Sequence, residues 1–157
     1  MMSNAKFLSF LVLALSGFTM FVFDHPREQV ELITASQIRQ LQSDETQRDN
    51  FVIVDVRSQA EMDVSMIPNA LTKSEFEDSA EQYHGKTIIV YCAVGVRSGR
   101  YAADLNERGW QALNYEGSIL DWCEHKLPLK TRNGSDTKKV HTYSERYSAP
   151  QGYIAVR

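Results

Sequence analysis

A chain of 157 residues, 43% hydrophobic and 24% charged, is long enough to bury one globular core with segments to spare. Its formal net charge of −3 gives no basic footprint, which argues against nucleic acid as a partner. Two cysteines are too few for a disulfide scaffold, and neither they nor the four histidines have metal-ligand spacing, so no metal and no cofactor is expected.

The first stretch with a physical signature is the uncharged run Phe7–Phe23, FLSFLVLALSGFTMFVF. As a helix it reaches about 25 Å, the lower limit for spanning a bilayer. Two readings stay open. In the first, an apolar N-terminal helix anchors the chain in a membrane through residues 7–23, with the domain outside the cytoplasm. In the second, a signal peptide ends after Ser16 and the exported protein is soluble. The anchor fits better, because cleavage would leave Gly17–Phe23 exposed to water. Lys6 before the run and Arg27 and Arg39 after it hardly decide the side. Residues 1–30 are thus set apart as anchor or signal segment and hinge, 31–130 as the folded domain, and 131–157 as a tail.

Thr34-Ala-Ser-Gln37 reads as a helix capping box, and Ile38 and Leu41 give the helix after it an apolar edge. Gln42–Asn50 is polar and loop-like. Phe51–Val56 is a continuous apolar run broken only by Asp55, as suits a parallel strand covered on both faces. Ser58-Gln-Ala-Glu61 is a second capping box, opening a short helix toward Val64. Met66–Leu71 reads as a turn and a short strand. Ser74-Glu-Phe-Glu77 is a third box, before a helix ending near Gln82. Thr87–Tyr91 is the second strong strand. A helix is expected from Ser98 to Arg108, with Tyr101, Ala102 and Leu105 on one face and Gly109 in the left-handed position that ends it. Ala112–Tyr115 is a last short strand, and Gly117–Trp122 starts a helical segment that Pro128 closes. Thr131–Arg157 has too little apolar surface for a core of its own; it either stays mobile or packs against the domain.

Strands and helices alternate from about Glu31 to Leu129, which predicts an α/β fold with a central parallel sheet flanked by helices on both faces. Ligand sites in such sheets lie beyond the carboxyl ends of strands, where Asp55 and Cys92 both stand. Cys92 is followed by the loop Ala93, Val94, Gly95, Val96 and Arg97, and then by Ser98 at a helix start. Strand, loop and helix N-terminus together form an anion cradle of backbone N–H groups. A cysteine there has a lowered pKa, and the thiolate is its reactive form. The alternative is a buried cysteine ending a core strand. Cys123, after Trp122, reads as a small core residue, with a resolving thiol for Cys92 as the alternative.

Ile53-Val-Asp-Val-Arg57, Glu61, Ile67-Pro68, Ala70, the Val90–Ser98 loop, Gly109, Gly117 and Trp122 resemble a single-domain rhodanese of the sulfurtransferase superfamily, over roughly Thr34 to Leu129. The resemblance implies a sheet of about five parallel strands. It also implies that Cys92 carries sulfane sulfur as a persulfide, taken from a small sulfur donor or a protein persulfide and passed to cyanide or a thiol. Two displacement half-reactions predict ping-pong kinetics. Residues Ala93 to Ser98 would form the anion loop, with Arg97 either bracing it or meeting an anionic donor. Asp55, Arg57 and Glu61 would be structural support, with Arg57 and Glu61 paired at i, i+4 spacing. Four residues separate Cys92 from Arg97, one fewer than in the related cysteine phosphatases, whose wider loop holds a tetrahedral oxyanion. The chain departs from the family pattern at Met66, where a histidine is usual, and at Asn69 and Ser118, where glycines are usual. The other readings are a catalytically weak binding module on the same scaffold and a Cys92/Cys123 redox protein.

Overall fold

The computed structural model describes residues 29–157. The apolar run 7–23 lies outside the described residues, and no helix within them is long and apolar enough to cross a membrane. Among the described residues, five α-helices and eight strands follow one another: α1 (Ala35–Ser43), β1 (Phe51–Asp55), α2 (Gln59–Val64), β2 (Leu71–Thr72), α3 (Lys73–Asp78), β3 (Thr87–Tyr91), α4 (Val96–Glu107), β4 (Gln111–Asn114), α5 (Ser118–Glu124), β5 (Leu129–Lys130), β6 (Asp136–Thr137), β7 (Lys139–His141) and β8 (Ile154–Val156).

Four strands form the central sheet, all parallel, in the order β2-β1-β3-β4. The expected fifth is reduced to a single parallel bridge between Leu32 and Asn114. Thr34 caps α1 two residues later, so the chain turns away before more pairs can form. Alternation along β1 and β3 divides the core. Ile53, Ile89 and Tyr91 face α1 and α5, through Ile38, Ile119 and Trp122. Val54, Ile88 and Val90 face α3 and α4, through Phe76, Ala102 and Leu105. Apolar side chains are therefore needed at successive positions, which is why both strands read as continuous hydrophobic runs.

Two capping boxes stand where the sequence puts them, at Thr34 with Gln37 and at Ser58 with Glu61. The third does not. Thr72, not Ser74, caps α3, with Glu75 closing the box. Thr72 is still paired to Asp55 in the sheet, so its extended backbone turns into the helix with no intervening loop. That helix stops at Asp78, and a separate 3-10 turn occupies Ala80–Tyr83.

The tail packs against the domain. β5 and β6 form a hairpin, and β7 and β8 pair in parallel. Val140 is fully buried in the α1/α5 side of the core, and β7 lies against α2. The Tyr153 hydroxyl donates to the Leu127 carbonyl. The segment has no core of its own and shares that of the sheet.

A buried polar network closes the carboxyl end of the sheet. Arg57 donates from Nε and NH2 to the Asp55 carboxylate, at 2.9 and 2.7 Å, and from NH2 to the Ser65 carbonyl at 2.6 Å. The Tyr91 hydroxyl donates to Asp55 Oδ2 at 2.5 Å and accepts the Ile67 N–H at 3.1 Å. Burial and the neighbouring carboxylate push the Tyr91 phenol well above its ordinary pKa, so it stays a donor. Removing one partner of a buried ion pair leaves an uncompensated charge. Arg57→Met is expected to lower unfolding stability by about 3–5 kcal/mol, measured by urea denaturation. A loss under about 1 kcal/mol would show that Asp55 finds water or a proton at little cost.

Candidate active site

Cys92 follows the last residue of β3 and is buried. Its sulfur accepts the Gly95 N–H at 3.2 Å and faces the hydroxyls of Ser98 and Ser118 at 3.6 and 3.8 Å. Burial opposes ionisation of the thiol. The N–H groups of Ser98 and Val94 outweigh it, joined by the Ser98 and Ser118 hydroxyls when these turn their single protons from the Gly95 and Tyr115 carbonyls to the sulfur, and hold the thiol below its ordinary value. Cys123 shows burial acting without such donors: its thiol is pushed up to about 12. Both cysteines are free.

Gly95 makes the cradle possible. It adopts φ +86°, and a Cβ there would stand 2.2 Å from the Glu116 carbonyl oxygen. Its own carbonyl accepts from the Gly99 N–H, the Ser98 hydroxyl and Asn114 Nδ2, at 3.0, 3.1 and 3.2 Å. Those contacts fix the Gly95–Val96 peptide, and the peptide before it turns the Gly95 N–H to the sulfur. The left-handed glycine also lets α4 start at Val96, two residues before the expected Ser98. The first turn of α4 therefore presents its free N–H groups to the site.

Arg97 is braced. Its guanidinium makes a two-pronged contact with Glu61, at 2.8 and 2.7 Å. Glu61 also accepts the Ser58 N–H and hydroxyl, at 2.9 and 2.8 Å, so one carboxylate closes the α2 capping box and clamps the cysteine loop. Burial would raise this carboxyl, but the hydrogen bonds from Arg97 and Ser58 draw it down to about 2. The expected Arg57–Glu61 pair does not form. Arg57 precedes the N-cap Ser58 and lies off the helix, so i, i+4 geometry does not apply and its side chain turns inward to Asp55.

Of the remaining loop residues, Ala93 is buried, Val94 half-buried and Val96 59% exposed. Ser118 was not among the expected site residues. It is buried at φ +57°, accepts the Cys92 N–H at 3.0 Å and donates to the Tyr115 carbonyl at 2.9 Å. Its left-handed backbone explains why glycine suits this position, and its hydroxyl gives the cysteine a partner that glycine lacks. The departure from paired glycines at Gly117-Ser118 was the available signal. Asn69 likewise sits at φ +65°, a conformation that asparagine tolerates better than most residues.

Comparison with known proteins follows the same outline. Residues 34–125 match the family model described as Rhodanese-like domain. A protein of Allochromatium vinosum named Sulfurtransferase is 31% identical over 90 residues, covering 55% of this chain and 84% of that protein. Among solved structures, a rhodanese-like domain protein from Staphylococcus aureus is 27% identical with a TM-score of 0.51, covering 59% of this chain and 91% of that one. A Bacillus halodurans protein shares the fold at 19% identity and a TM-score of 0.56, over 66% of this chain and 79% of its own. The stretch matched by the family model exceeds half the chain and contains β1, the Cys92 loop, α4 and Ser118. The chain belongs to the rhodanese-like domain family.

Proposed function

We propose that this protein is a sulfurtransferase that carries sulfane sulfur as a persulfide on Cys92 and passes it to cyanide or a thiol. The observation that supports this reading is the recessed Cys92 sulfur, ringed by the Gly95 N–H and the hydroxyls of Ser98 and Ser118. In the first step the thiolate forms a bond to the terminal sulfur of the donor. The bond between that sulfur and the rest of the donor breaks, and its electron pair leaves with the donor remnant, which is sulfite when the donor is thiosulfate. In the second step the acceptor attacks the outer sulfur, and the Cys92 thiolate departs. No outside oxidant or reductant is consumed. The N–H groups at Gly95 and in the first turn of α4 stabilise the anionic sulfur in both states. Arg97 stands at the rim paired with the Glu61 carboxylate, so it orders the loop while the pair carries no net charge.

Intact mass spectrometry after incubation with thiosulfate is expected to show the mass of one added sulfur, lost again on addition of cyanide as thiocyanate appears. Cys92→Ser should abolish both; undiminished thiocyanate release by that variant would sink the assignment. The reactive form is the thiolate, and its pKa is lowered, so ultraviolet titration should show one thiol ionising below the ordinary 9.0, absent from Cys92→Ser. Cys123, near 12, stays protonated through that range. Gly95→Ala forces a Cβ against the Glu116 backbone, and thiocyanate release is expected to fall at least about tenfold as the loop shifts. A loss confined to thermal stability, with turnover intact, would mean that the cradle tolerates the shift.

A further inference from the structure

The turn after β7 holds an aromatic side chain against the cysteine loop. Thr142 is buried and donates its N–H to the Val156 carbonyl at 3.2 Å. The Ser144 N–H returns to the Thr142 carbonyl at 2.7 Å, and the Tyr143 N–H donates to His141 Nδ1 at 3.0 Å. This tight turn puts Tyr143 at φ +66°, a conformation rare and strained for a bulky residue. Burial does not account for an aromatic there, because Tyr143 is 55% exposed. Its ring instead covers Arg97, whose Cζ lies 4.8 Å from the ring centroid. Glu61 holds that guanidinium through its nitrogens while Tyr143 stacks on it.

The surroundings of the loop have a consistent character. Val96, next to Arg97, is 59% exposed, so two apolar groups stand open at the rim. A cleft of about 460 Å³ adjoins the loop at Val94 and is walled by Tyr147 and Arg146 of the tail. Its lining includes Glu116, Asp121 and Glu124 and one arginine, Arg146, with the Asp121 carboxylate also accepting the Tyr115 hydroxyl at 2.6 Å. The cleft borders the loop without reaching Cys92, and a small inorganic dianion approaching along it meets like charge and must shed much of its hydration. A donor with one negative charge and an apolar body meets half that repulsion and gains apolar contact with Tyr143 and Val96.

We infer that Tyr143 is a specificity-determining residue of the Cys92 site, biasing it toward a singly charged organic sulfane-sulfur donor over inorganic thiosulfate. The inference rests on the sulfurtransferase reading above and names its donor class. The sulfur transfer balances as before. The Cys92 thiolate bonds to the terminal sulfur, and the organic group leaves as sulfinate or thiolate with the electron pair of the broken bond. Two negative charges precede the step and two follow it.

Benzenethiosulfonate and thiosulfate present the same terminal sulfur with and without an apolar body, but sulfinate leaves more readily than sulfite, so the change in donor ratio between wild type and variants carries the test. Steady-state thiocyanate release by the full chain is measured with each, for wild type, Tyr143→Ala and Tyr143→Phe, with thermal melting as the check on folding. Wild type is expected to favour benzenethiosulfonate in kcat/KM by about tenfold or more. Tyr143→Ala should cut that ratio by about fivefold or more, chiefly through a raised KM for the aryl donor, and Tyr143→Phe should restore it. A wild-type preference for thiosulfate overturns the inference. So does a ratio unchanged in Tyr143→Ala, or a loss shared equally by both donors. No thiocyanate from wild type with either donor is a different result: it overturns the sulfurtransferase reading itself, and this inference with it.

Discussion

Taking a carboxylate and a guanidinium out of water costs several kcal/mol per ion unless each finds charge and hydrogen bonds inside. Asp55 and Arg57, both sealed from solvent, meet that demand only in one arrangement of the chain. Asp55 needs the Tyr91 hydroxyl, so β1 and β3 must align as the register Asp55 to Tyr91 has them. Arg57 needs the Ser65 carbonyl, so the chain after α2 must return over the end of β1. Tyr91 in turn holds the Ile67 N–H. The residue after Tyr91 is Cys92, so the network that closes the sheet also sets the position from which the Cys92 side chain emerges.

A second layer of constraint acts on the loop itself. A thiolate in a buried place is stable only if donors surround it, and backbone N–H groups supply them only if the chain curls tightly around the sulfur. Gly95 permits that curl, the three donors on its carbonyl hold it, and the Glu61–Arg97 pair ties the helix beyond it to α2. Glu61 serves a local purpose and a distant one with the same carboxylate. The contrast between Cys92 and Cys123 shows what this organisation achieves. Both thiols are buried, yet one is drawn down and the other pushed up, because only Cys92 has donors aimed at its sulfur.

The tail completes the surroundings of the site. Val140 enters the core, which fixes β7 against α2, and α2 is the helix that carries Glu61. From that fixed strand the next residues project Tyr143 over Arg97 and place Arg146 and Tyr147 beside Val94. The loop surrounds the sulfur, while the rim beside it is partly built by a segment outside the match to the family model.

Much of this was legible in the residues. Continuous apolar runs marked β1 and β3, because strands buried on both faces have no polar side to show. The capping boxes at Thr34 and Ser58, the glycine in the loop and the alternation of elements gave the fold class and put Cys92 at the end of a strand. These features are local: each depends on spacings of a few residues along one segment. The failures are all choices between partners. Ser74 and Thr72 both precede an acidic residue at the same spacing, and only pairing with β1 selects Thr72. Glu61 had a nearby arginine, but the fold delivers Arg97 from far along the chain and turns Arg57 inward. The tail had apolar residues without a surface to bury them on. Ser118 and Tyr143 owe their places to left-handed backbone at turns. The sequence by itself determined the elements and the place of Cys92 at the end of a strand, because local spacing and hydrophobic periodicity are properties of one segment. Only the tertiary structure decided which charges pair and which aromatic ring covers Arg97, because those depend on distances between segments that the chain does not encode locally.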